Sequence, residues 1–97
     1  MNKQEALYLL QISRDKIDRI DEEIIELIAV RTSLAGEIGK AKKVLNKDIE
    51  NTEREDYIRQ KIKNLAREKN IDQTSILEIM DILMNLNKTE QEKILGR

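Results

Sequence analysis

Apolar residues recur every three or four positions through the first part of the chain. Between Gln4 and Lys42 these positions are Leu7, Leu10, Ile17, Ile20, Ile24, Leu27, Ile28, Leu34, Ala35, Ile38 and Ala41. The spacing places them on one face of an α-helix, so it predicts a single long amphipathic helix. At about 1.5 Å per residue this helix is about 60 Å long. Two shorter helices of the same chain cannot cover all of that face, so a second copy of the chain is expected to cover the rest.

Two glycines, Gly36 and Gly39, lie inside this predicted helix. Each costs about 1 kcal/mol relative to alanine in a helix interior, so either is a possible end of the helix. The apolar pattern nevertheless continues through both to Ala41, which favours one continuous helix. A glycine on a helix face also permits the close approach of another backbone or of a ligand.

Residues 43–51 form the predicted connection to a second helix. This segment loses the helical period and contains Asn46 and Asn51, which are common in turns. Thr52 and Glu55 have the spacing of a capping box, which predicts a helix start at Thr52. The apolar positions that follow carry this second helix to about Lys69.

The third predicted helix follows a turn at residues 70–72. Asp72 is a residue type that caps helix N-termini well. The apolar stripe of this helix consists of Ile76, Ile79, Met80 and Leu83. Continuing from Leu83 in steps of four reaches Asn87 and then Gln91, so two amides occupy the row that began as core. The helix is predicted to end near Lys93, with residues 94–97 as a fraying tail.

Arg31 stands where the first helix is expected to carry a hydrophobic residue. Taken in steps of seven, the apolar row of that helix is Leu10, Ile17, Ile24, Arg31 and Ile38. Removing a charge from water costs several kcal/mol, so a guanidinium in this row needs an anionic partner. That partner is either a protein carboxylate, in an interhelical salt bridge, or a carboxylate of a ligand.

Two further cations of the first helix are related to Arg31 by their positions around the helix. Lys42 lies eleven residues after Arg31, or about three turns, so the two project within about 20° of one another and can face one cavity. Arg14 lies about 100° around the helix from Arg31, so it is not expected to reach the same cavity from the same chain, although it could serve a second, symmetry-related one. Lys42 has a simpler alternative, because a cation near a helix C-terminus is favoured by the dipole.

The polar residues of the second and third helices have both structural and functional interpretations. Arg54 and Glu55 open the second helix, where Glu55 fits the capping box. In the structural interpretation, Asn87 and Gln91 lie in a part of the third helix that extends beyond the packed core. Cations and amides that converge on one place, however, favour electrostatic recognition of a small anion over hydrolysis or covalent catalysis.

The composition supports an all-α domain and excludes several kinds of site. Among 97 residues there is no proline, and 18 basic residues nearly balance 19 acidic ones, which argues against nucleic-acid or membrane-surface binding by bulk charge. Cysteine and histidine are both absent, so no thiolate or imidazole is available as a metal ligand or base. One domain over residues 1–97 is expected. No metal site is expected, and a cytoplasmic location follows from the lack of a secretion signal or membrane-spanning stretch.

These residues together resemble the small all-helical chorismate mutases, and the resemblance covers most of the chain. Each short motif is weak alone, whereas the ordered set is specific. The set consists of residues 14–21 (RDKIDRID), Ile24 to Ile28, Arg31, Leu34-Ala35, Ile38-Gly39, Lys42, Arg54-Glu55 and Gln91.

The resemblance implies an intertwined homodimer of three-helix protomers with two equivalent sites. In each site, Arg31 of one protomer and Arg14 of the other would hold the two carboxylates of chorismate, with Arg54 assisting. Lys42 and Gln91 would donate hydrogen bonds to the ether oxygen of the substrate.

Three further positions have a role implied by the resemblance. Glu55 would accept a hydrogen bond from the ring hydroxyl. Asn51 stands where the family has an aspartate near the hydroxyl region, and Asn87 stands where it has a serine near a carboxylate. Both asparagines keep hydrogen-bonding capacity.

The reaction implied is the Claisen rearrangement of chorismate to prephenate in aromatic amino acid biosynthesis, the shikimate pathway. It needs no cofactor and no covalent intermediate, because orientation and electrostatic stabilisation suffice. Two alternatives remain at the level of sequence. One is an isochorismate-pyruvate lyase on the same scaffold, and the other is a non-enzymatic helical dimerisation module whose polar residues set the register.

Overall fold

The chain forms three α-helices in a computed structural model that describes residues 1–96. Helix α1 spans Lys3–Leu45, α2 spans Thr52–Glu68 and α3 spans Gln73–Leu95. No strand occurs within the described residues, so the all-α prediction is confirmed. Helix α1 is also continuous through both of its glycines, as the apolar pattern indicates. None of these helices combines the length and the apolar character that a membrane span requires.

The chain divides into two compact units, of which the first is Met1–Val30. This unit contains the N-terminal part of α1, and the Asn2 side chain begins the helix by accepting the Glu5 N–H at 2.8 Å. None of its residues is buried within the described chain. Its apolar row is about half exposed, with 55% of Ile17 accessible to solvent. The residues of this unit therefore do not bury its apolar face.

The second unit begins at Arg31 and contains the last part of α1 together with α2 and α3. Its buried residues are mostly small, which allows the helix backbones to approach closely. They are Ala35, Gly36, Gly39, Ala66, Met84 and Gln91. The predicted stripe of α3 is covered only in part, because Ile79 remains about half exposed.

Asparagines in left-handed backbone conformation follow both of the first two helices. Asn46 and Asn70 each have φ of 56°, a conformation that asparagine tolerates better than most residues. After Asn46 the Lys47 N–H donates to the Lys42 carbonyl at 2.9 Å, and an equivalent bond follows Asn70. These are Schellman closures, which satisfy carbonyls left free at a helix end.

The N-terminus of α2 differs from the predicted capping box. Helix α2 begins at Thr52 as expected, but the capping residue is Asn51, whose side-chain oxygen accepts the Arg54 N–H at 3.0 Å. With Asn51 as the cap, Glu55 lies one residue beyond the position from which a side chain reaches back to it. The capping-box interpretation of Glu55 is therefore wrong.

The N-terminus of α3 is capped by Asp72, as predicted. The Asp72 carboxylate accepts the Ser75 N–H at 2.9 Å and the Ser75 hydroxyl at 2.7 Å, and these bonds lower the pKa of Asp72. The helix continues to Leu95 and ends at Gly96, which has φ of 75°. Residues 94 and 95 are thus helical instead of forming the predicted tail, and Arg97 lies outside the described residues.

We expect the two glycines of α1 to respond oppositely to alanine substitution. A Cβ at Gly39 would lie 3.1 Å from the Ile94 Cβ and 3.2 Å from the Gln91 Cα, whereas at Gly36 the nearest atom, the Glu90 Cγ, is 4.0 Å away. Gly39→Ala should lower the free energy of unfolding by about 1–3 kcal/mol through overpacking. Gly36→Ala should raise it by up to about 1 kcal/mol through helix propensity.

Urea unfolding followed by circular dichroism, with all proteins at one concentration, measures both changes. Gly36→Ala is the matched control, because it makes the same substitution on the same helix. Equal changes in the two variants would show that α1 and α3 do not meet closely at Gly39.

Candidate functional site

A cavity of about 420 Å³ lies in the second unit, among its three helices and the loop that joins α1 to α2. Every element of the unit contributes to it. Its lining consists of Arg31, Leu34, Ala35, Ile38 and Lys42 from α1, Ile49 and Asn51 from the loop, Arg54, Glu55 and Ile58 from α2, and Met84, Asn87, Lys88 and Gln91 from α3. Aliphatic side chains make up much of the wall, and the charged groups are set among them.

Arg31 contributes a partly buried guanidinium that no carboxylate of the described residues neutralises. Among residues 1–96 no ion pair is formed with Arg31, and its buried Nη1 atom has no hydrogen-bond partner. Burial lowers the pKa of Arg31, and the like charge of Arg54 lowers it further. The interhelical salt bridge that the sequence left open is therefore not made within the described chain. An anion at this point would meet an uncompensated positive charge.

Lys42 is held in place by the loop. Its Nζ donates a hydrogen bond of 2.7 Å to the carbonyl oxygen of Ile49. An ammonium group has three donors, so this bond fixes its position and leaves others for a second acceptor. Burial lowers the pKa of Lys42, while Glu50 and Glu55 act in the opposite direction. Lys42 is thus a positioned cation and not a freely solvated one.

Gln91 places an amide at the contact between α1 and α3. The residue is only 7% exposed, and its Oε1 atom is buried with no hydrogen-bond partner among the described residues. Gly39 of α1 allows this proximity, because any side chain there would approach the Gln91 backbone. Asn87 is half-buried one turn earlier on the same helix and also lines the cavity.

Glu55 is the one acidic side chain in the lining of this cavity, and it forms a close ion pair. Its Oε1 lies 2.6 Å from the Nζ of Lys88, which also lies 3.1 Å from a carboxylate oxygen of Glu50. The side chain of Glu55 is 12% exposed and that of Lys88 is 25% exposed. The hydrogen bond from Lys88 is the main reason that the pKa of Glu55 is lowered and that of Lys88 is raised.

Asn51 and Arg54 have side chains that are partly engaged with their own helix. The Asn51 side-chain oxygen caps α2 through the Arg54 N–H, which leaves its amide NH₂ as a donor. The Arg54 guanidinium lies 5.2 Å from the centre of the Tyr57 ring, a cation–π distance that orients it. Both residues remain exposed at the rim of the cavity.

Seven of the eight residues selected from the sequence therefore line one cavity. They are Arg31, Lys42, Asn51, Arg54, Glu55, Asn87 and Gln91. The eighth, Arg14, lies in the first unit, is exposed and does not line the cavity.

Sequence reasoning overlooked Lys88 and its partner Glu50. A signal for Lys88 was present, because Met84, Lys88 and Gln91 follow one another at intervals of four and three and so share a helix face. No comparable periodic signal marks Glu50, which lies in the loop.

The charges of the cavity suit a small dianion. Its lining contains four cationic side chains and one carboxylate, and that carboxylate is already paired. The chain has neither histidine nor cysteine, so an imidazole base and a thiolate nucleophile are absent. The arrangement can hold an anion, orient it against apolar walls and donate hydrogen bonds to charge that develops upon it.

Comparison with known proteins places the chain in a family. Residues 13–92 match the family described as chorismate mutase type II. The chain is 42% identical over 82 residues to a chorismate mutase of Methanocaldococcus jannaschii, which covers 84% of this chain and 83% of that protein. It is 31% identical over 88 residues to a bifunctional chorismate mutase/prephenate dehydratase of Buchnera aphidicola, covering 91% of this chain.

A bifunctional chorismate mutase/prephenate dehydratase of Escherichia coli is 27% identical over 82 residues. The chain spans 23% of the Buchnera protein and 21% of the Escherichia coli protein, but most of the Methanocaldococcus protein. The match to the family extends over most of the sequence and includes all of α2, most of α1 and α3, and every residue that lines the cavity. The chain therefore belongs to the type II chorismate mutase family.

Proposed function

We propose that this protein is a chorismate mutase that converts chorismate to prephenate in the cavity of its second unit. The observation that carries the proposal is the juxtaposition of Arg31, Lys42 and Gln91 in one apolar cavity of a chain that belongs to this family. Chorismate carries two carboxylates and an ether oxygen. A cavity with a surplus of cations and hydrogen-bond donors complements both features.

Substrate orientation is assigned to the guanidinium groups. Arg31 binds one carboxylate, because its Nη1 has no acceptor among the described residues, and Arg54 assists from the rim. Asn87 donates to a carboxylate from α3, and Asn51 contacts the hydroxyl region through its remaining donors. These contacts hold the reactive diaxial conformer, so that the carbon atoms that form the new bond are already near one another.

Charge stabilisation is assigned to Lys42 and Gln91. As the carbon–oxygen bond of the ether breaks, negative charge develops on the oxygen. The Lys42 ammonium, held by the Ile49 carbonyl, and the Gln91 amide donate hydrogen bonds to that oxygen. Because both donors are positioned before the reaction, little reorganisation is needed as the charge develops. Glu55 accepts a hydrogen bond from the ring hydroxyl and so fixes the ring.

The proposal includes a homodimer in which Arg14 completes the site of the partner. Support comes from the first unit, where the apolar row of α1 is about half exposed along its length. Pairing with a second copy would remove this surface from water, which would stabilise the dimer by about 25 cal/mol for each Å² of apolar area buried. The partner's Arg14 would then bind the second carboxylate of the substrate.

Lys42→Ala should reduce kcat/KM for chorismate by about 10²–10³-fold, the usual effect of removing one preorganised donor to a developing charge. The loss of chorismate and the appearance of prephenate measure the rate. Lys40→Ala is the matched control, because Lys40 lies on the same helix but is exposed and pairs with the exposed Glu37. Similar rates in the two variants would remove Lys42 from the ether-oxygen role.

Gln91→Glu should convert the enzyme to one that works mainly at low pH. A protonated carboxyl donates a hydrogen bond as the amide does, whereas a carboxylate repels the developing negative charge. Activity should therefore fall as the pH rises through the pKa of the new carboxyl, while the native enzyme stays active at neutral pH. Profiles of kcat/KM from about pH 4.5 to about pH 8 cover the ionisation.

Gln60→Glu provides the matched charge control for this experiment. Gln60 is exposed on α2 and pairs with Asn64, so the same substitution there adds a negative charge outside the cavity. Its profile should follow that of the native protein. A Gln91→Glu profile that matches both would argue against a contact between Gln91 and the ether oxygen.

Mixing two inactive variants tests the dimer and the origin of Arg14 together. Arg14→Ala and Arg31→Ala should each abolish most activity. A hybrid dimer of the two would contain one site with both arginines and one site with neither. After random exchange half of the dimers are hybrids, so about a quarter of the native activity should return. Mixtures that stay inactive although exchange is complete by mass spectrometry would exclude a site shared between protomers.

A further inference from the structure

Lys88 joins a loop, a second helix and the cavity through one ammonium group. Its Nζ lies 2.6 Å from the Glu55 Oε1 and 3.1 and 3.2 Å from the two oxygens of Glu50. Glu55 belongs to α2, Glu50 to the loop and Lys88 to α3, so the contacts connect three separate segments. Among the residues that line the cavity, Lys88 is the cation for which the function described above provides no role.

The two carboxylates that Lys88 contacts lie in different environments. The side chain of Glu50 is 63% exposed, so its ion pair is screened by water and contributes little. The side chain of Glu55 is 12% exposed, and its contact with Lys88 is shorter. A charged hydrogen bond in such a site is stronger and more directional than one in water. The ion pair of Lys88 with Glu55 is therefore the stronger of its two ion pairs.

We propose that Lys88 is a positioning residue that keeps Glu55 ionised and oriented as the acceptor for the ring hydroxyl of the substrate. This inference rests on the proposed mutase function and extends it to a residue outside the set assigned above. An ionised carboxylate has about four acceptor positions on its two oxygens, so Glu55 can accept from Lys88 and from a hydroxyl at the same time. A protonated Glu55 would instead donate one of its hydrogen bonds.

Other charged groups around Glu55 do not replace Lys88. Lys42 approaches from α1, but among residues 1–96 it forms no ion pair with Glu55, and its Nζ donates to the Ile49 carbonyl instead. Arg59 lies on the same helix as Glu55 and pairs with Asp81 at 3.1 Å. Glu50 also lowers the pKa of Glu55 through a side-chain hydrogen bond, but its effect is smaller than that of Lys88. Lys88 supplies the main hydrogen bond that lowers the pKa of Glu55, so its removal should raise that pKa.

Direct titration of Glu55 tests the pair without substrate. The ¹³C signal of the Glu55 carboxyl, assigned by its absence in Glu55→Gln, is followed against pH in the native protein and in Lys88→Met. Methionine is uncharged and has a similar length, so it fills the space without the ammonium. The Glu55 transition should move to higher pH in Lys88→Met and return towards the native position in Lys88→Arg. An unchanged transition in Lys88→Met would overturn the proposal.

A double-mutant cycle tests whether the pair serves catalysis. Lys88→Met should lower kcat/KM for chorismate by about ten- to a hundred-fold at neutral pH, the range expected when a charged hydrogen bond is lost. The acid limb of its pH profile should also move to higher pH. In a Glu55→Gln background the same substitution should have little further effect, because Lys88 acts through Glu55. Additive effects would overturn the positioning role.

Glu50→Gln is the matched control for a purely structural bridge. It removes the ion pair between the loop and Lys88 and leaves the pair with Glu55. If Lys88 served only to hold the loop, Glu50→Gln would reproduce the loss of activity in Lys88→Met. We expect Glu50→Gln to retain most activity and to show an acid limb close to that of the native protein.

The two proposals fail in different ways. A native protein that does not convert chorismate to prephenate would refute the mutase function, and with it any catalytic role of Lys88, whatever the ¹³C titration shows. A native protein that is active, combined with an unmoved Glu55 transition or an additive cycle, would refute the role of Lys88 alone.

Discussion

The close approach of α1 and α3 at Gly39 is the contact on which the rest of the cavity depends. A Cβ at this position would lie 3.2 Å from the Gln91 Cα, so only glycine permits the two backbones to come this near without a shift. Lys42 follows Gly39 by less than one turn, and Gln91 lies at the contact itself. The two donors are therefore placed relative to one another by backbone packing. Packed backbones rearrange less readily than side chains do, which suits a site that must be ready before its substrate binds.

Each of the four cations around the cavity has a different environment, and the differences indicate different roles. Arg54 lies over the Tyr57 ring at the exposed rim, and Lys42 donates to the Ile49 carbonyl. Lys88 pairs with two carboxylates. Arg31 alone has a buried nitrogen without an acceptor among the described residues. An unpaired buried charge opposes folding, so its retention is the expected mark of a group that serves binding more than stability.

Much of the fold and of the cavity follows from periodicity, because the regular geometry of a helix converts spacing into direction. The separation of eleven positions from Arg31 to Lys42 amounts to about three turns, and both side chains line one cavity. Continuity of α1 through Gly36 and Gly39 was equally predictable, since the apolar row does not change phase there. The extent of α1 and the directions of its side chains can thus be predicted from the local spacing of residues.

The features that sequence reasoning missed depend on contacts between segments. Asn51 and Thr52 are both good caps, and only the backbone conformation selects Asn51. Glu50 meets Lys88 across 38 residues of chain, so no local spacing connects them. Ile79 belongs to a regular apolar stripe and yet remains about half exposed, because a stripe does not tell which of its residues a neighbouring helix covers. The hydrophobic pattern predicts which face of each helix is buried, whereas the structure is needed to show which segment packs against that face.

The pair of Glu55 and Lys88 also resolves a conflict within the proposed chemistry. A site for a dianion gains from every cation and loses from every carboxylate, yet a hydroxyl of the substrate needs a strong acceptor. A bare carboxylate at Glu55 would oppose both the binding of the dianion and the growth of negative charge on the ether oxygen. With Lys88 at 2.6 Å the pair is close to neutral when seen from a distance, while Glu55 still accepts a hydrogen bond at short range. Coulomb interactions of a neutral pair fall off faster with distance than those of a single charge. In the proposed mechanism the acceptor is thereby kept with a smaller loss of the positive field of Arg31 and Lys42 than an unpaired carboxylate would cause.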